Sequence, residues 1–392
     1  MDNLRDKTAI IGVGNSTFVP LEANISPLVP LVEAFKNALD NAGLKKSDID
    51  GLLVNIGTPT GVDYDQVAES FGLNITIADQ TWTHGRQMAS VLSHAAMIVN
   101  AGLAKYVACV CSINWKRRAN GTVGAQGQAQ DDRETGGAHF EHPYYGMTSP
   151  GGAFAMAVQR YFSLYGASSI DLAQVAIAIR NHALMNPNAI MKKTLTVEAH
   201  QNARFICEPL RLFDYCQTVG GACVVIVTSS QRAKDGPQLP VYISGVQGMA
   251  AGREEATGGR PGLGLNQQSS TISVPMERDL AIYGMAGIDR ADVNAFYTYD
   301  PMTSNIWMAL ERYGFCKEGE AWQFVNSGAI AHGGSLPVNT NGGLLSEAHI
   351  SGWNHMCEMV RQLRGQCGAR QVPGAEVVQW GSNRGDSIIL RK

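Results

Sequence analysis

The chain has 392 residues, 45% of them hydrophobic and 17% charged, a composition suited to a large doubled core under a lightly charged surface. A formal charge of −3 gives no electrostatic footing for nucleic acid or an anionic membrane. The eight cysteines show no C-x-x-C spacing, and no apolar run reaches the ~18 residues of a membrane span, so neither a paired-cysteine metal site nor a transmembrane helix is expected.

The opening "MDNLRDKTAIIGVG" carries acidic residues and no long apolar stretch. It is not expected to be a signal peptide, and a cytoplasmic location follows as an expectation. "KTAIIGVGNS" reads as a buried strand, and "PLVEAFKNALDNAGL" as a helix with a stop at Ala42-Gly43. "DIDGLLVNIG" is the next strand. In "TWTHGRQMASVLSHAAMIVNAG", Met88, Val91, Leu92, Ala95, Ile98 and Val99 recur at helical spacing, and alanines fill the gaps. Such a helix is buried all round, and its N-terminus, at His84-Gly85, favours an anion. "KYVACVCSI" is a buried strand with Cys109 and Cys111 on one face. Alternating strands and helices predict a mostly parallel sheet.

Residues 114–155 break the pattern with a polar, Gly-rich stretch dotted with aromatics, read as a lid, a subunit contact or a binding loop. Helical patterning resumes at "AMAVQRYFSLYG" and "SSIDLAQVAIAIRNHALMNP". "GACVVIVTSS" closes the first half, and "KDGPQLP" reads as a linker.

"AGLKKSDIDGLLV" from Ala42 and "AGIDRADVNAFYT" from Ala286 share one frame, 244 residues apart. So long a period means a two-fold duplication rather than a solenoid. The expected division is 1–235 and 236–392, with the insertion at about 114–155 in the first half. Two packed α/β halves place a site where their strand ends converge. The counterpart of the first buried helix is then "NGGLLSEAHISGWNHMCEMVRQLRG". His84-Gly85, Tyr299-Asp300 and Glu347/His349 are expected to meet.

Tyr297 and Tyr299 point the same way on a strand. Tyr299, at its end, is the better candidate for chemistry. His349 lies among small residues that let a substrate approach. His349 and His355 do not share a helix face, so a metal pair is not expected. "GVGNS" and "GGRPGLGLN" lack a complete phosphate-loop frame, and no G-x-S-x-G elbow is present.

The stretches "TAIIGVGNSTF", "HAAMIVNAGLAKYV", "HQNARFICEPLRLFDYCQ", "ERYGFCKEGEAWQFV", "LPVNTNGGLLSEAHISGWNH" and "EMVRQLRGQCGARQV" resemble the thiolase superfamily, in its lipid-transfer-protein and sterol-carrier-protein branch. The resemblance implies a five-layered αβαβα fold of two duplicated halves, usually dimeric. It places the acyl-accepting cysteine of a true thiolase at Gly85 and the second catalytic cysteine within "VVQWGSNRG", where this chain has none. The chain is most similar to the cysteine-less steroid side-chain aldolases. These cleave a β-hydroxyacyl-CoA by retro-aldol chemistry with a small OB-fold/zinc-ribbon partner protein. Of their two catalytic tyrosines, one matches Tyr299; the other corresponds to His349, where thiolases also carry a histidine.

Retro-aldol cleavage needs a base for the β-hydroxyl, donors for the enolate and an acid for the α-carbon. Tyr299 and His349 are the expected acid/base pair, in either order. His84, Gly85 and Gly343 are the expected substrate contacts, with no cofactor beyond the CoA thioester itself. A thiolase or acyltransferase using another cysteine, and a non-catalytic subunit of a thiolase-like complex, are the alternatives.

Overall fold

The computed structural model describes residues 3–20, 25–57, 60–81, 88–114, 150–249 and 277–392. The strands are β1 (Thr8–Asn15), β2 (Val19–Pro20), β3 (Gly51–Asn55), β4 (Ile77–Thr81), β5 (Tyr106–Asn114), β6 (Phe205–Cys207), β7 (Leu210–Arg211), β8 (Val219–Ser229), β9 (Val241–Gln247), β10 (Ala295–Tyr297), β11 (Val377–Gly381) and β12 (Ser387–Arg391). β6 and β7 form a separate hairpin, and β2 adds to the edge of β8.

The remaining strands make one topology twice. In the first half the order is β4-β3-β5-β8-β1, parallel from β4 to β5, with β8 antiparallel to both its neighbours. In the second half β10 runs parallel to β11, and β12 lies antiparallel to β11 and β9. The orders β3-β5-β8-β1 and β10-β11-β12-β9 are thus the same, with the same directions. The counterpart of β4 shrinks to a single parallel bridge between Phe296 and Val338. The halves join where β1 meets β9, with Ala9 opposite Tyr242 and Ile10 opposite Val241.

The repeated sequence frame produces a repeated local structure. The helix Leu28–Ala42 ends at Gly43 with φ +68°, and the helix Glu277–Ala286 at Gly287 with φ +66°. Each turn is closed by the N–H two residues past the helix: Leu44 to the Leu39 carbonyl at 3.0 Å and Ile288 to the Tyr283 carbonyl at 3.1 Å. A short 3₁₀ turn follows, capped by Asp48 on the Lys45 N–H at 2.7 Å and by Asp292 on the Asp289 N–H at 2.8 Å. Then the second strand of each half begins.

Strand alternation sorts the core into layers. Val224 and Ile226 of β8 face the helix Leu28–Ala42, while Val225 and Val227 face inward. In the second half Val378, Trp380, Ile388 and Leu390 face the same inner core, and Phe296 and Ile389 face the outer one. Against the inner faces of the two halves lie the helices Met88–Asn100 and Trp353–Leu363; the second is buried almost throughout, while the first buries one face and leaves Met97 exposed. The result is the αβαβα sandwich, with Cys109 and Cys111 of β5 pointing into its inner core.

Four expectations are corrected. The sheet is mixed rather than mostly parallel, because β8 and β12 each run antiparallel to both their neighbours in the strand order. The helix Pro150–Tyr165 begins inside the stretch read as loop up to 155. β10 ends at Tyr297, two residues before Tyr299. The second buried helix starts only at Trp353, because Gly342, Gly343 and Ser351 all take positive φ angles that a continuous helix excludes. His84 and Gly85, most of the 114–155 loop and "GGRPGLGLN" lie outside the described residues. We propose the boundary between the halves at 235/236, in the turn between the helix Ser230–Ala233 and β9.

Candidate active site

β10 carries Ala295 and Tyr297 on its inner face. Tyr297 is wholly buried with its Oη 2.6 Å from Thr340 Oγ1, and burial pushes its hydroxyl well above the ordinary range. It is a packing residue. Beyond Tyr297 the chain leaves the ladder, and the side chain of Asn339 takes over the pairing. Asn339 Oδ1 accepts the Thr298 N–H at 2.9 Å, and its Nδ2 donates to the Thr298 carbonyl at 3.1 Å. The backbone polar groups stay paired, so the extended direction persists to Tyr299.

The facing segment is the turn from Asn339 to His349. Gly343–Glu347 form one π-type turn, in which the N–H groups of Glu347 and Ala348 reach five residues back, to the Gly342 and Gly343 carbonyls. Such wide turns re-aim the chain and recur at functional sites. Here the turn throws His349 toward Tyr299.

Tyr299 Oη and His349 Nε2 are 3.1 Å apart. Each residue keeps 8% of its surface exposed, whereas Tyr297 and His355 keep none. The pair is therefore held firmly yet remains open to a substrate. The other nitrogen of His349, Nδ1, lies 3.4 Å from Cys216 Sγ. Cys216 is fixed by its own N–H to the Pro301 carbonyl at 2.9 Å, and Gln217 N–H bonds the Leu344 carbonyl at 2.9 Å. The segment before β8 is thus stitched between the tyrosine loop and the histidine turn. Burial pushes the Cys216 thiol up to about 12, and the nearby Asp300 charge adds to the rise. At neutral pH it is a thiol, not the thiolate a nucleophile requires.

Under the pair lies a polar layer. Leu344 N–H donates to Asp300 Oδ1 at 2.9 Å. Glu347 accepts from Asn186 at 2.7 Å, from Asn354 at 2.7 Å and from Asn341. Burial pushes the Glu347 carboxyl up; the Asn354 and Asn341 amides and the His355 charge pull it back. Gly343 is buried in this layer. A Cβ there would stand 2.1 Å from Asp300 Oδ2, so its missing side chain makes room for the carboxylate. Of the expected group, Tyr299 and His349 touch directly, and Asp300 and Glu347 lie just beneath. Among the described residues no cluster of three or more His, Cys, Asp or Glu side chains could hold a metal ion.

Residues 278–385 match the family described as thiolase C-terminal domain-like. The 17-hydroxy-3-oxo-4-pregnene-20-carboxyl-CoA lyase of Mycobacterium tuberculosis is 36% identical over 389 residues, covering 96% of each chain. A steroid side-chain-cleaving aldolase of Thermomonospora curvata is 34% identical, over 93% of this chain and 92% of that one. The chain belongs to the thiolase-fold aldolases. A solved structure of the same kind, the Ltp2-ChsH2(DUF35) aldolase, superposes on all of this aldolase and 99% of its own chain, with a TM-score of 0.86 and 31% identity.

Reading the sequence of this aldolase missed Cys216, Asn186, Asn341 and the central place of His355. Cys216 sits in "DYCQT", just ahead of a strand, with no spacing to any other cysteine that would mark it. Its partner His349 lies 133 residues away.

Proposed function

We propose that this aldolase cleaves the carbon–carbon bond of a β-hydroxyacyl-CoA whose hydroxyl stands on a steroid ring. The observation that carries the reading is the Tyr299–His349 contact at 3.1 Å, open to the site beside a Cys216 thiol that burial pushes up. The substrate class is drawn from the names of the two relatives, one a pregnene carboxyl-CoA lyase and the other a steroid side-chain-cleaving aldolase. In a 17-hydroxy-20-carboxyl-CoA the hydroxyl is β to the thioester carbonyl, which is the arrangement retro-aldol cleavage requires.

The reaction balances without a co-reactant. A base takes the hydroxyl proton, the C–O bond becomes a ketone, and the Cα–Cβ pair passes into the thioester enolate. An acid returns a proton to Cα. The pair supplies both roles: an imidazole titrating near ~6.5 suits the base, and a phenol near ~10 suits the acid. Because the two are hydrogen-bonded, the proton taken by one is delivered through the other. His84 and Gly85 are proposed as substrate contacts, and the amides at the start of the helix Met88–Asn100 as donors to the thioester, since the positive end of a helix favours an anion.

We further propose a small OB-fold/zinc-ribbon partner, since the similar solved aldolase is a complex with a DUF35 protein, and a homodimer. Among the described residues β4 is an edge strand of the large sheet, where a second copy could add. The experiment is to incubate the purified chain, alone and with a co-expressed partner, with a 17-hydroxy steroid 20-carboxyl-CoA. A 17-ketone and a three-carbon acyl-CoA in equal amounts are expected. Intact thioester after incubation in both forms would refute the reading.

A further inference from the structure

His355 sits at the first turn of the helix Trp353–Leu363, fully buried between Tyr297 and Trp380. Its Nε2 lies 3.1 Å from Asp300 Oδ1, and its Nδ1 lies 3.0 Å from Asn341 Oδ1. Which end of Asn341 is oxygen follows from its neighbours. Its nitrogen is committed to Glu347 Oε2, and its oxygen also receives the Gly343 N–H at 3.4 Å. An amide oxygen can only accept, so Nδ1 of His355 carries a hydrogen. Asp300 Oδ1 also accepts the Leu344 N–H, and the oxygen of an ionised carboxylate can only accept. Nε2 therefore carries a second hydrogen.

A ring with hydrogen on both nitrogens is a cation. It stands between two buried carboxylates, one touching it and the other a single amide away. Asp300 directly follows Tyr299, and Glu347 precedes His349 by two residues. The run Asp300–His355–Asn341–Glu347 thus ties the tyrosine loop to the histidine turn. We propose that His355 is a buried imidazolium that clamps these two segments and so holds Tyr299 and His349 in register. It is a positioning residue, and the proposal rests on the assignment of that pair as the reacting groups.

An apolar ring of the same size would fill the space equally well. It would take from Asp300 Oδ1 and Asn341 Oδ1 one of the two donors each receives inside the core, leaving the Leu344 and Gly343 N–H groups alone to hold them. Asp300 Oδ2 already receives no hydrogen bond among the described residues, so the carboxylate has little else to hold it. Freed of His355, Asp300 would shift, and Tyr299 with it. A displacement of about 1 Å lowers turnover by on the order of a hundredfold.

The test uses the whole chain. Nitrogen-15 NMR of histidine-labelled protein at neutral pH should show both His355 nitrogens protonated, the signals being assigned by their loss in His355→Gln. An unprotonated nitrogen overturns the clamp, whatever the variants do. In kinetics, His355→Phe should fold and lose about a hundredfold in kcat with KM within about twofold. His355→Gln, which keeps one donor, should recover part of the loss. Folded variants with unchanged kcat overturn the positioning role. If the wild type cleaves no steroid thioester, the aldol reading fails, and the clamp is judged by the His349 ring signals: a shift in His355→Gln supports it, and identical signals overturn it.

Discussion

Asn55 and Tyr299 occupy equivalent places in the two halves, 244 residues apart, where the second strand of each half runs out. Asn55 accepts the Trp353 indole N–H at 2.9 Å and donates to Thr81 Oγ1 at 2.8 Å. Tyr299 instead meets an imidazole at 3.1 Å and keeps an open face. One strand end is a strut that binds the first half to the buried helix of the second. The other is the proposed platform for proton transfer. Duplication supplied two similar strand ends, and the residues set on them divided the labour between support and chemistry.

The sharpest way to test that division is to remove the functional group at each end. Tyr299→Phe keeps the ring and its packing but loses the hydroxyl, so kcat should fall by roughly 10²–10⁴ with little change in melting temperature. His349→Ala should fall as far, and the double variant hardly further, because the two act as a unit; steady-state kinetics of the three variants reads this directly. A double variant far slower than either single would mean two independent groups.

Gly343→Ala is the next largest effect, and it works through geometry. The position needs φ +64°, and an added Cβ would meet Asp300 Oδ2 at 2.1 Å. Strain of about 1–2 kcal/mol from the left-handed backbone adds to displacement of the carboxylate, so both stability and kcat should drop. Denaturant melts alongside kinetics would show it. At the strut, Asn55→Leu leaves the Trp353 N–H without an acceptor and should cost about 1–3 kcal/mol of stability. A comparable loss of kcat at full stability would break the contrast between the two ends.

The smallest effect concerns Cys216. Burial and the Asp300 charge raise its folded-state pKa to about 12, so the thiol stays protonated across pH 6–9. Iodoacetamide at pH 8 should label it far more slowly than a free cysteine. Rapid labelling at this one residue would reveal a thiolate and reopen a covalent route.

Much of the frame was legible because it is local. The helix stop at Ala42-Gly43, its copy at Ala286-Gly287 and the strands that follow are set by neighbouring residues, and their repetition disclosed the duplication. Strand alternation placed Ala295 and Tyr297 on the inner face in the same way. What could not be read is what depends on distant partners. β10 stops at Tyr297 because Asn339, far along the chain, replaces the ladder. The second buried helix waits until Trp353 because Gly342 and Gly343 must turn around Asp300. Cys216, Asn186 and His355 reach the site across 133, 161 and 55 residues respectively, and no periodicity records such contacts.

The second-half strand end is proposed to cleave a carbon–carbon bond without a covalent intermediate. The direct test is one quenched reaction with a 17-hydroxy steroid 20-carboxyl-CoA, read by mass spectrometry of products and intact protein together, for the wild type and Tyr299→Phe. A non-covalent route gives ketone and shortened acyl-CoA from the wild type, neither from the variant, and no mass added to either protein. An acyl adduct on Cys216, or undiminished cleavage by Tyr299→Phe, would contradict it.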